Sequence, residues 1–117
     1  LVRRDNGKKI PVDIGMVEKK VNEVLHDIQE DLYAKAKEFL YSNIKDVEKF
    51  EDFQKAIGQR KIVFAKWCGC PECEEKIKEE AAGAKSLNIP FDQPDIEGKC
   101  IACGKDAKYK AYFGKSY

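Results

Sequence analysis

The sequence predicts an α+β fold: one long amphipathic helix, then a two-layer domain with helices on one face of a small mixed sheet. Two observations lead there. Apolar residues recur at close to the helical period from Val17 to about Tyr41, and the segments that follow change between helical and alternating patterns in the order β-α-β-α-β-β. A third observation adds a metal. All five cysteines of the 117 residues lie in two clusters, Trp67-Cys68-Gly69-Cys70-Pro71-Glu72-Cys73 and Cys100-Ile101-Ala102-Cys103-Gly104. Two close-set groups of thiols, far enough apart for the chain to fold back, can close a tetrahedral four-sulfur shell around zinc. The domain is therefore expected to be zinc-stabilised.

The elements follow in order. Asn6-Gly7 lies between two short runs, and both residues tolerate positive φ, so residues 1–12 read as a hairpin. Val17, Val21, Val24, Leu25, Ile28, Leu32, Phe39 and Leu40 then form the stripe of the long helix, with Asp13 as the expected cap. His26, the single histidine, sits beside that stripe. With no second histidine to join it, it reads as a helix boundary residue and not as a ligand. Asn43 to Val47 suits a short strand, and Phe50, Phe53 and Ile57, followed by Gly58, place a helix over roughly residues 47–58.

Residues 61–67, rich in β-branched and aromatic side chains, read as a buried strand running into the first thiol cluster, with Trp67 shielding the site. Pro71 suits the first position of another helix, and Glu72, Glu74 and Glu75 favour its positive N-terminus; this helix should end near Gly83. Leu87, Ile89 and Phe91 alternate as a strand that Pro90 confines to an edge or a bend. Residues 92–99 read as a loop, and Ala107, Tyr109, Ala111 and Phe113 alternate in a last strand.

Composition narrows the function classes. An apolar content of 43% is enough for one packed core at this length. Charged residues are abundant, yet the formal net charge is only +1, so acids and bases are interspersed and no basic arm for nucleic acid stands out. No apolar run approaches the ~20 residues that span a bilayer, so no membrane partner and a cytoplasmic setting are expected. The odd cysteine count fits poorly with a disulfide framework. The sequence starts at Leu1 and its single methionine is Met16, which suggests that it begins inside a longer polypeptide.

Spacing alone leaves the ligand set open. The generic rule takes the C-x2-C pair Cys70 and Cys73 opposite Cys100 and Cys103, leaving Cys68 free. A thiol–disulfide oxidoreductase built on Cys70 and Cys73 is a weak reading that leaves Cys100 and Cys103 unexplained. The paired thiols, together with Lys105, Lys108, Lys110 and Lys115 interleaved by Tyr109 and Tyr112, allow an alternative: a free-standing zinc-ribbon-like module for RNA or protein.

The chain as a whole resembles something more specific. Trp67-Cys68-Gly69 and Cys73-Glu74, then Ile77-Lys78-Glu79-Glu80, Gly83-Ala84-Lys85-Ser86-Leu87, Ile89-Pro90-Phe91, Cys100-Ile101-Ala102-Cys103-Gly104-Lys105 and the closing Tyr112-Phe113-Gly114-Lys115-Ser116-Tyr117 are similar to the C-terminal region of archaeal/eukaryotic-type prolyl-tRNA synthetases, which are class II enzymes. Val2-Arg3-Arg4-Asp5 resembles the closing strand of that family's anticodon-binding domain, and Ile28-Gln29, Leu32-Tyr33, Ala36 and Phe39 resemble its connecting helix.

The resemblance implies three parts: residues 1–15 as a hairpin remnant of the anticodon-binding domain, 16–42 as the connecting helix, and 43–117 as a zinc-binding domain built like the C-terminal domain of translation initiation factor three. It implies zinc ligands Cys68, Cys73, Cys100 and Cys103, with Cys70 an addition to the pattern and an alternative ligand. It gives the C-terminal carboxylate of Tyr117 a place near the catalytic domain. ATP and magnesium would belong to that domain, whose motifs these residues lack, so they should be inactive alone. The implied partners are the catalytic and anticodon-binding domains of the same chain, tRNA(Pro), and a second copy in a homodimer.

Overall fold

Apolar periodicity places most of the elements seen in the computed structural model, which describes all 117 residues. They group into two compact units, Leu1–Tyr41 and Ser42–Tyr117.

In the first unit, Val2 pairs with Lys9 in an isolated antiparallel bridge around a turn in which Gly7 has φ 72°. The Asn6 side chain accepts from the Lys8 amide at 3.0 Å, and the Arg3 and Gly7 amides close the loop on the Lys8 and Arg3 carbonyls. Arg3, only 8% exposed, donates to both oxygens of Asp5 and reaches Asp31 at 2.6 Å, so the buried cation is paired twice. The Arg3 guanidinium in turn holds the Asp5 carboxyl below its usual range.

A 3-10 turn over Ile14–Met16 then leads into α1 (Val17–Ser42). Asp13 stands before the turn without a side-chain capping bond. Of the apolar stripe on α1, Val24 is buried, while Val17, Val21, Leu25, Leu32, Phe39 and Leu40 are exposed. The amphipathic pattern is present, and most of its apolar face is exposed.

The second unit consists of β1 (Ile44–Asp46), α2 (Phe50–Gly58), β2 (Ile62–Trp67), α3 (Pro71–Glu80), β3 (Lys85–Asn88) and β4 (Tyr109–Gly114). The sheet order is β1-β2-β4-β3. β1 runs parallel to β2 across the α2 crossover, and β4 is antiparallel to both β2 and β3, which makes the sheet mixed. Val63, Ala65 and Trp67 alternate on β2 with Ala111 and Phe113 on β4, and they bury against Phe53 and Ile57 of α2 and Ile77 of α3. Both helices therefore lie on one face. On the other face Phe64 stacks on Tyr112, with ring centroids 4.4 Å apart, and Lys110 lies over the Phe64 ring.

Three boundaries differ from the sequence reading. α2 starts at Phe50 because the chain bends at residues 48 and 49, with Lys49 in an extended conformation ahead of it. α3 stops at Glu80, and the chain leaves it through Ala82 and Gly83, both at positive φ. β3 covers Lys85–Asn88 and ends before Ile89 and Pro90, so Leu87, Ile89 and Phe91 do not form one alternating strand. Pro90 lacks the amide that would continue the ladder, and Phe91 is fully exposed beyond it. Where β3 has ended, the Gln93 side chain replaces it, accepting from the Lys110 amide at 2.8 Å and donating to the Lys110 carbonyl at 3.1 Å.

Trp67 packs edge-on against Phe113, with centroids 5.8 Å apart, and its buried indole Nε1 has no hydrogen-bond partner. An unpaired buried donor costs about 1–3 kcal/mol, which offsets part of what the large ring contributes. Trp67→Phe, which removes the donor along with some area, should therefore cost less than about 1.5 kcal/mol in urea unfolding.

Candidate metal centre

The thiols converge because two tight turns are built next to each other. β2 delivers Trp67 to the core and Cys68 just past the strand end. The chain reverses at Gly69, at φ 79°, where a Cβ would lie 2.9 Å from Tyr109 Cε2, so a side chain is excluded by both space and backbone. Cys70 then stands at the N-cap of α3 with Pro71 at the start of the helix, and the Cys73 amide donates to the Cys70 carbonyl at 3.1 Å.

The second pair sits on a knuckle at the end of the Lys99–Asp106 bridge. There the Cys100 amide donates to Lys105 O at 2.7 Å, the Gly104 amide to Cys100 O at 3.0 Å, and the Ile101 amide to Lys66 O of β2 at 3.0 Å. The amide of Lys108 donates to Trp67 O at 2.9 Å, which brings the start of β4 alongside the first turn.

The result is a group of four sulfurs, those of Cys68, Cys73, Cys100 and Cys103, all within 4.8 Å of one another. Cys68 Sγ is 3.4 Å from Cys73 Sγ and 3.8 Å from Cys103 Sγ. A zinc tetrahedron with bonds of about 2.3 Å has sulfur–sulfur edges of about 3.8 Å, whereas a disulfide needs about 2.05 Å. No cysteine is in a disulfide, and the donor set fits a closed, thiophilic cation site. Cys68, Cys73 and Cys100 are buried and Cys103 is exposed. Cys70 is not one of the four, and neither is His26, on α1.

Burial pushes the Cys73 thiol well above the ordinary thiol range, and hydrogen bonding with Cys103 and Cys68 adds to the effect. Hydrogen bonding with Cys68 raises the Cys70 thiol as well. Crowded thiols hold their protons because each thiolate would repel the others, and a divalent cation reverses that balance.

Tyr117 is 79% exposed, with its ring 5.2 Å from the Arg60 guanidinium and 5.4 Å from the Lys115 ammonium. It borders a cavity of about 230 Å³ floored by Ile57, Ile62 and Leu87. Lys76, which the sequence places only as a charge further along α3, donates through Nζ to Ala102 O at 2.8 Å. The signal available was its spacing, one helical turn after Cys73.

The family model described as "Prolyl-tRNA synthetase, C-terminal" matches residues 50–117. This chain belongs to that family. Among curated relatives, proline–tRNA ligase 2 of Bacillus cereus (strain ATCC 10987 / NRS 248) is 40% identical over 118 residues, covering 100% of this chain and 25% of the relative. The proline–tRNA ligase of Agathobacter rectalis is 44% identical over 120 residues, again covering 100% of this chain and 25% of the relative. The cytoplasmic proline–tRNA ligase of Arabidopsis thaliana is 39% identical, covering 99% and 23%.

The prolyl-tRNA synthetase of Cryptosporidium parvum, solved in complex with halofuginone and AMPPNP, superposes with a TM-score of 0.92 at 40% identity, covering 99% of this chain and 25% of that one. The chain thus spans about a quarter of the length of the synthetases it matches. Similarity over the whole chain to one part of these ligases goes against the free-standing zinc-ribbon-like module. No helix is long and apolar enough to cross a membrane.

Proposed function

We propose that this chain is the metal-stapled C-terminal region of a proline–tRNA ligase, an enzyme that makes prolyl-tRNA from proline, ATP and tRNA(Pro) in translation. The observation that carries the reading is the match of residues 50–117 to the synthetase C-terminal family, together with the four-sulfur group inside that span. Residues 1–15 are the edge of the anticodon-binding domain, 16–42 the connecting helix, and 43–117 the zinc-binding domain. Cys68, Cys73, Cys100 and Cys103 hold zinc. Four thiolates fill a tetrahedral shell and leave no position for water or substrate, so zinc here supplies cross-linking and not Lewis-acid chemistry.

The chemistry of ligation, with ATP and magnesium, belongs to a catalytic domain elsewhere in the parent polypeptide, and residues 1–117 alone do not aminoacylate. The catalytic and anticodon-binding domains are the partners within the chain, tRNA(Pro) is met through the parent enzyme, and the parent is a homodimer working in the cytoplasm. The Tyr117 carboxylate extends towards the catalytic domain. The Arg60 and Lys115 contacts to its ring support a held rather than frayed end.

The test is chelation. Elemental analysis of the purified chain should find near-stoichiometric zinc, and EDTA at neutral pH should lower the melting temperature substantially. An unchanged melting curve in a protein with no bound metal would remove the zinc reading.

A further inference from the structure

The two halves of the sulfur group come from different elements, which share an apolar core but few polar ties. The knuckle is tied to β2 by the Ile101 amide on Lys66 O, and internally by the Cys100 and Gly104 amides. Between α3 and the knuckle, the side-chain hydrogen bond is that from Lys76 Nζ to Ala102 O, at 2.8 Å. Ala102 is buried and stands between Cys100 and Cys103; Lys76 stands one helical turn after Cys73 and therefore on the same side of α3.

Lys78, two residues on, is turned to Glu75 instead, at 3.4 Å. We infer that Lys76 is a positioning residue of the metal centre, clasping the 100–104 knuckle onto α3 through the Ala102 carbonyl. The inference rests on the zinc reading above. Lys76 itself is exposed, so its replacement should leave the fold intact.

Outer-shell partners of a metal site typically contribute 10–100-fold in affinity. The experiment titrates zinc into the 117-residue chain against a chromophoric chelator, for the parent, Lys76→Met, Lys76→Arg and Lys78→Met. Cobalt spectra are recorded for each to verify four-sulfur coordination. Lys76→Met is expected to bind zinc about tenfold more weakly or worse. Lys76→Arg should recover to within about threefold of the parent, because it restores a long side-chain donor to the Ala102 carbonyl. Lys78→Met, with the same loss of net charge, should match the parent, and all four proteins should give the same cobalt spectrum.

A Lys76→Met chain that binds within about twofold of the parent overturns the inference, as does equal weakening by Lys78→Met or failure of Lys76→Arg to recover. A parent that takes up no zinc sinks the metal reading itself, before any variant is compared.

Discussion

Cys68→Ser should strip the protein of most of its zinc, whereas Cys70→Ser should leave the zinc content close to that of the parent. The two positions are separated by a single glycine, and both carry thiols at the same turn. They differ in what surrounds the sulfur. Cys68 Sγ lies against both Cys73 and Cys103, so it joins the first cluster to the second, while Cys70 lies outside the group of four. A serine hydroxyl does not substitute for a thiolate in a sulfur-only shell. In small zinc-finger peptides metal binding supplies ~10 kcal/mol or more of folding energy; a domain with its own apolar core depends on it less. Cys68→Ser should accordingly fold with a markedly lower melting temperature and no further response to EDTA. The reverse outcome, zinc lost from Cys70→Ser alone, would move the first ligand to Cys70.

The largest effect expected away from the thiols is at Phe113. Its ring is wholly buried, edge-on to Phe53 at 5.4 Å and to Trp67 at 5.8 Å, so it joins α2 to the strand that ends at the metal centre. Phe113→Ala removes both contacts and leaves a cavity that neighbouring backbone cannot fill, a change worth about 3–5 kcal/mol. For a unit of this size that corresponds to a fall of roughly 15 °C or more in melting temperature, measured by calorimetry on the zinc-loaded chain. Phe91→Ala is the comparison. Phe91 is an equally large ring with no burial, and its loss should stay within about 0.5 kcal/mol. Equal effects at the two positions would contradict the packing described here.

The order of elements was legible because α2 repeats apolar residues at the helical period and β2 is a short β-branched and aromatic run. Phe53 and Ile57 on α2, and Val63, Ala65 and Trp67 on β2, are buried at the spacings the pattern demands. The third strand was misjudged because Leu87, Ile89 and Phe91 alternate correctly in type while none of them is buried. Alternation reports burial only where a second layer exists, and β3 is an edge strand that ends ahead of Pro90. Gln93, the side chain that takes over the ladder, carries no periodic signal. The exposed stripe of α1 shows the complementary limit: the period reveals a face, not what covers it.

At the site, the two clusters were visible as cysteines, but the generic spacing favoured Cys70 over Cys68. Cα spacing along a chain does not show which sulfur a positive-φ glycine turns inward. Gly69 was readable as a turn residue, whereas its tight approach to Tyr109 depends on β4, some forty residues later in the sequence. Lys76 was legible only as one of many lysines, since its acceptor is a backbone carbonyl with no residue type to betray it.

The pairing of Trp67 with Tyr109 lies directly beside the sulfur group, and β2 and β4 run outward from it through Ala65–Ala111 to Val63–Phe113. A shift of one residue between these strands would turn Ala111 and Phe113 to the solvent face and bring Lys110 and Tyr112 into the core. Under the proposed zinc site, joining Cys68 to Cys103, 35 residues away, would forbid that slip at its origin. The thiols would then act as the phase marker of the sheet, fixing which side of β4 faces inward.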